Sequence, residues 1–274
     1  MKKILVVGIL FLYMSSAFAQ PETKIPFSVA IAAHIHKYNL KSNAAFKDQD
    51  LEYAKFLFDS LVDNHLTGTY MDNFKMNPLK GDPITFKEFE KPVFLISYAT
   101  WCVPGDGEIP ALNDLVDQFH DQIDFIVLFW NSKEDVNEKV KEYSDNVQLL
   151  YVNEKSNQDS YIINNLKHAL GFPMMYFMNT DKKILDIRKV ATHHSSETLS
   201  NSYTIHYNSL SKGVSLLIAD LDANPPVSET NDSDEENDKP KKGKKDNRTD
   251  EERAIDEEYE RYQREKDSIK SNPN

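Results

Sequence analysis

The chain has one cysteine, Cys102, in 274 residues. An internal disulfide is therefore excluded. An unpaired cysteine leaves a reactive thiol, an intermolecular bridge or a buried bystander. There is no excess of basic charge: 32 Lys and Arg stand against 44 Asp and Glu, a net charge of −12. That acidic balance argues against a nucleic-acid footprint, which needs a basic face. No Gly-rich loop suits the cradling of phosphate, and no Ser-His-Asp arrangement can be read. Beyond the first twenty or so residues no apolar run approaches the roughly 20 residues that a membrane-spanning helix needs.

What is present begins with a secretory signal over residues 1–19. Lys2 and Lys3 form its basic start, Ile4 to Met14 its apolar centre, and Ala17-Phe18-Ala19 a small-x-small cleavage site before Gln20. An uncleaved anchor is the alternative reading, but the apolar run is short for a bilayer. No cysteine lies near the cleavage site to carry a lipid. The expectation is a periplasmic or secreted bacterial protein with no stable membrane insertion after signal cleavage.

Residues 20–69 read as a helical extension. Val29, Ala32, Ala33 and Ile35 hint at a first helix. Leu51, Ala54, Phe58, Leu61 and Leu66 make the apolar stripe of a second, with Asp48 or Asp50 to cap it and Gly68 after it. That helix is expected to pack on the main domain, with a dimer face as the alternative. His34 and His36 lie two apart and diverge on a helix, so no metal site is expected there. The aromatic set Phe46, Tyr53, Phe56 reads as packing.

Residues 70–222 read as one α/β domain. Gly81-Asp82-Pro83 is turn chemistry between two short elements. Then strands and helices alternate: strand Val93–Tyr98, helix Glu108–His120, strand Ile123–Trp130, helix Asp135–Tyr143, strand Val147–Val152 and helix Ser160–Leu170, the last with Ile162, Ile163, Leu166 and Leu170 buried and Gly171 ending it. A hairpin of Met174–Met178 and Ile184–Arg188 follows, then a last helix within Ser200–Leu221 with Leu210, Val214, Leu217 and Leu221 in line. This order predicts a central mixed sheet with helices on both faces. His193-His194 reads as solvated loop. Residues 223–274 are rich in charge, acidic over Asp232–Asp238, basic over Lys239–Lys245 and then mixed, with few apolar residues, the composition of a disordered tail. A capping box at Thr249 and Glu252 and the pairs Glu257–Arg261 and Glu260–Arg264 allow a lone helix over 249–270.

The chemistry gathers where the first apolar strand ends. Cys102 follows Trp101 at once and precedes a helical pattern of Ile109, Leu112, Leu115, Val116 and Phe119. A thiol at or near a helix N-terminus is expected to fall from a pKa of about 8.5 toward roughly 3.5–7.5.

The residues A-T-W-C-x-P-x-x-x-E-x-P-x-L resemble the active-site region of the thioredoxin superfamily, in its exported, TlpA-like thiol–disulfide oxidoreductase branch. Trp101, Cys102, Pro104, Glu108 and Pro110 keep the pattern. Gly105 stands where that branch has its second, resolving cysteine. The resemblance covers about Tyr70 to Leu221 and implies the thioredoxin-like fold. It implies Cys102 as nucleophile and Glu108 as a carboxyl near the thiol, able to relay a proton if burial raises its pKa. It also implies a cis-proline at Pro173, whose preceding backbone at Phe172 pairs with an extended substrate, with Trp101 and Pro104 lining the approach. No cofactor or metal is implied. The partners are thiol- or disulfide-bearing exported proteins or small thiols.

Without a neighbouring thiol, an adduct at Cys102 waits for an external one. The expectation is monothiol disulfide exchange in redox homeostasis. The alternative is a redox-inactive binding module for exported clients, and a further one is a structural partner working through its tail. Peroxide reduction on this fold is a lesser alternative: its motif P-x-x-x-T-x-x-C meets Leu95 and Ala99 at the proline and threonine positions.

Overall fold

Seven strands in the order β2-β1-β5-β4-β3-β6-β7 form a mixed sheet in the computed structural model, which describes residues 24–153, 164–191 and 198–225. The described residues belong to one compact unit. The signal expected at 1–19, the solvated loop expected at His193-His194, the lone helix expected at 249–270 and all but the first residues of the tail expected at 223–274 lie outside the described residues.

The chain enters through α1 (Phe27–Lys47) and α2 (Leu51–Leu61), the latter continued by a π-helical turn over Val62–Leu66. Two short antiparallel strands, β1 (Lys75–Pro78) and β2 (Ile84–Thr85), lead to β3 (Val93–Tyr98). Then come α3 (Glu108–Phe119), β4 (Asp124–Phe129), α4 (Lys133–Asn137) and β5 (Gln148–Tyr151). A π-helical turn at Asn164–His168, β6 (Met174–Met178), β7 (Ile184–Lys189) and α5 (Leu199–Ala223) complete it. Strands β3, β4 and β5 are mutually parallel, whereas β1, β6 and β7 each run antiparallel to a neighbour.

The sheet is buried on both sides, which is why β3 reads as an unbroken apolar run. Alternate residues divide between the faces. Val93, Leu95, Ile126, Leu128, Met174 and Tyr176 meet Phe27 and Ile31 of α1, with Phe58 and Leu61 of α2. Phe94, Ile96, Phe125, Val127, Met175 and Phe177 meet Leu112 and Leu115 of α3 and Leu210, Val214 and Leu217 of α5. The expected sheet with helices on both faces is thus observed, and α2 packs on the main sheet as expected.

Several expectations are corrected. The first helix buries Phe27, Ala30 and Ile31 and leaves Val29 51% exposed, so its inner face is not the one marked by Val29, Ala32 and Ala33. Its orientation is fixed by Phe27, edge-on to Tyr176, and by Asp72, which accepts from both the Ser28 amide and the Ser28 hydroxyl. In α2, Leu51 is exposed rather than part of the stripe. The helix expected over Asp135–Tyr143 ends at Asn137, because only Val136 is fully buried and one apolar contact cannot propagate so short a helix. Tyr143 packs against the α3 side instead. In Ser160–Leu170, the described part is a π-helical turn with Leu166 buried and Leu170 half-buried; Ile162 and Ile163 lie outside the described residues. Gly171 ends that segment at φ +81°, where a side chain would be strained.

Gly213 sets how closely α5 approaches the sheet. A Cβ there would sit 1.9 Å from the Phe177 ring. Gly213→Ala in an exposed helix would gain about 1 kcal/mol. Here overpacking dominates, and a net loss of about 1–3 kcal/mol is expected in denaturant unfolding.

Candidate active site

The site is assembled by the register of two strands. In the antiparallel pair β3–β6, Ser97 lies opposite Met174. The segment leaving β3 and the segment entering β6 therefore emerge at the same end of the sheet. The first carries Trp101 and Cys102, the second Phe172 and Pro173. Their meeting is direct: the Trp101 and Phe172 rings pack edge to face with centroids 6.1 Å apart. The Phe172–Pro173 peptide bond is cis, as the resemblance implied for Pro173.

Cys102 is a free thiol, half-buried against the α3-side core. Around it Trp101 is 71% and Val103 is 90% exposed, while Pro104 and Gly105 are half-buried. The loop is tied down by backbone contacts. The Cys102 amide donates to the Ala99 carbonyl at 2.9 Å, and the Thr100 amide donates to Asn131 Oδ1 at 2.9 Å. The Gly107 amide donates to Ser202 Oγ of α5 at 3.0 Å. A Cβ on Gly107 would come within 2.0 Å of the Tyr203 backbone nitrogen, so only glycine lets the loop touch α5 this closely.

Glu108 is the first residue of α3 and 5% exposed. Its Oε1 accepts from the Tyr98 hydroxyl at 3.1 Å and its Oε2 from the Gly105 amide at 3.3 Å. Burial pushes its pKa up to about 7, partly offset by those two bonds. The same burial, with the nearby Glu108 charge, pushes Tyr98 and Tyr143 far above the usual phenol range.

One expectation about the thiol fails. The helix begins only at Glu108, and residues 103–107 separate Cys102 from its N-terminus. The thiol is pushed up, not down. Burial is the main cause, offset in part by a backbone hydrogen bond with Ala99 and reinforced by Glu108. A dipole that fades within one turn cannot reverse this.

Of the residues picked from sequence, Trp101, Cys102, Pro104, Glu108, Phe172 and Pro173 fall on two adjoining loops and the helix that follows one of them. Tyr98, Tyr143, Asn131, Gly107 and Ser202 were missed. Asn131 had one legible signal, its place just after β4; Ser202 had none. His34 stacks on His65, ring centroids 3.8 Å apart, and His36 is exposed. Among the described residues no group of three or more His, Cys, Asp or Glu could hold a metal ion. None of the described helices is long and apolar enough to cross a membrane.

A carboxyl with a raised pKa favours folding while it is neutral. Its contribution is fully present below the unfolded value near 4.5 and is lost as pH rises through about 7. Between pH 4 and pH 9 the wild type is expected to lose roughly 3 kcal/mol relative to Glu108→Gln, by urea unfolding at each pH. Parallel pH curves for the two proteins would contradict the burial of an ionisable carboxyl.

Residues 67–187 match the model of the AhpC/TSA family. The thioredoxin-like protein YneN of Bacillus subtilis is 23% identical over 124 residues, 44% of this chain and 69% of that one. The thioredoxin domain of a thiol-disulfide oxidoreductase from Bacteroides vulgatus is 17% identical with a TM-score of 0.41, covering 53% of this chain and 96% of its own. A thio-disulfide isomerase from Thermus thermophilus is 20% identical with a TM-score of 0.38, covering 51% and 96%. Residues 67–187, less than half of this chain, are thus similar to the AhpC/TSA family, and the β3–β4–β5 parallel core, the antiparallel β6–β7 hairpin and the cis-proline beside the cysteine loop make the fold thioredoxin-like.

Proposed function

We propose that this protein carries out thiol–disulfide exchange through Cys102 alone, on exported proteins or small molecules that bear thiols or disulfides. The observation that carries the reading is the meeting of the Trp101–Cys102 loop with the cis Phe172–Pro173 loop. It leaves a half-buried sulfur beside an exposed apolar rim of Trp101 and Val103. Such a rim suits an extended apolar segment of a client.

In the forward step Cys102 gives up its proton, with the Glu108 carboxylate as acceptor. The thiolate attacks a disulfide R–S–S–R′ and forms Cys102–S–S–R. The departing R′–S⁻ takes a proton. Gly105 offers no second thiol, so the next step needs an external thiol R″–SH. It attacks the mixed disulfide, leaves as R–S–S–R″ and restores Cys102. A neighbouring cysteine would act at very high effective concentration, and its absence makes the mixed disulfide long-lived.

The raised thiol pKa favours a second reading, a binding module that keeps the groove and has lost the chemistry. Burial and the nearby Glu108 push the thiol above its ordinary range, which disfavours the thiolate that exchange needs. Peroxide reduction has less support. Leu95 and Ala99 are both buried and apolar, so neither offers a hydroxyl to hold a peroxide.

The full chain, incubated without reductant and then purified, is expected to carry partners through sulfur that dithiothreitol releases. Cys102→Ser is expected to carry none of them. If Cys102→Ser retains the same partners, the binding-module reading replaces the redox one.

A further inference from the structure

We propose that Tyr98 is a positioning residue for the Cys102 reaction: its hydroxyl holds the Glu108 carboxyl in place and favours the charged form that accepts a proton. This rests on the exchange reading above. Glu108 lies under the cysteine loop with both oxygens engaged, Oε1 by the Tyr98 hydroxyl and Oε2 by the Gly105 amide. The two donors come from different sides, one from the end of β3 and one from the loop itself. A carboxyl held this way cannot rotate, and its orientation follows Tyr98.

Both bonds are donated to the carboxylate, so both oppose the effect of burial. Without them a carboxyl this deep would remain protonated well above neutral pH and could not take up a proton. Tyr98 is itself fully buried against Phe129, ring centroids 6.0 Å apart, and keeps its own proton throughout the working range. It is therefore a permanent donor. The groups that face Glu108 are Tyr98 from β3, Tyr143 from the segment after α4, and Cys102 from the loop. On the far side of the helix start, Ser202 of α5 holds Gly107. Phe at position 98 would keep the ring packing and delete only the donor.

The test follows the Glu108 carboxyl by carbon-13 NMR across pH in the full chain, for wild type, Tyr98→Phe, Glu108→Gln and the double variant. The rate of Cys102 alkylation by iodoacetamide is followed in parallel. In Tyr98→Phe the Glu108 midpoint is expected to rise by about one pH unit, the loss of one hydrogen bond to a charged acceptor. The inflection that Glu108 imposes on the alkylation profile is expected to rise with it. In the Glu108→Gln background the Tyr98 change is expected to leave the profile unmoved. An unshifted Glu108 midpoint overturns the proposal, and so does an equal effect of Tyr98→Phe with and without Glu108. The NMR midpoint decides the pairing even if Cys102 never exchanges a disulfide; a failed exchange assay overturns the functional reading instead.

Discussion

A buried carboxyl tied to the loop that carries the thiol is the constraint on which the site depends. Glu108 is removed from water at the start of α3 and compensated by two donors, Tyr98 and the Gly105 amide. In a low-dielectric setting an acid so placed sits between its charged and neutral forms near pH 7. That same charge, together with burial, discourages ionisation of Cys102. The two groups therefore share one problem: where a single negative charge is to reside. A proton moving from sulfur to carboxyl leaves the number of charges in the pocket unchanged, which is less costly than creating a second one there.

The fold supplies the geometry for this without dedicated elements. Pairing of Ser97 with Met174 brings the end of β3 and the start of β6 to one edge of the molecule. Packing of α5 at Gly107 and Gly213 then fixes the loop and the sheet against one helix. Both glycines are places where backbone meets a neighbour too closely for a methyl group. Residues before β1 belong to the same body: Tyr70 bridges Pro26 on one side and Lys183 on the other, so the segment ahead of α1 joins the margin of the sheet.

Much of this was legible in the sequence. The apolar runs of β3, β4 and β6 and the spacing in α3 and α5 arise from burial on both faces of one sheet, and such patterns survive in sequence. That the Trp101–Cys102 loop would lie beside the Phe172–Pro173 loop was implied by the resemblance, through a motif and a distant Gly-Phe-Pro, and the Trp101–Phe172 ring contact joins the two loops. What stayed hidden depends on contacts across the chain. The first helix turned its Phe27 side inward because Tyr176 and Asp72 lie far along the sequence. The direction of the thiol shift was read from a helix thought to begin beside it, whereas burial and Glu108 decide it. Tyr98 looked like one more apolar strand residue, since nothing in a strand pattern marks a hydroxyl that reaches a carboxyl ten positions later.

The central claim is that Glu108 and Cys102 compete for one negative charge. It is tested most directly by the midpoint of Cys102 ionisation, from alkylation rate against pH, in wild type and Glu108→Gln. The account predicts a wild-type midpoint above that of an ordinary thiol and a lower one once Glu108 is neutral. A wild-type midpoint at or below neutral pH, or one that Glu108→Gln leaves in place, would contradict it.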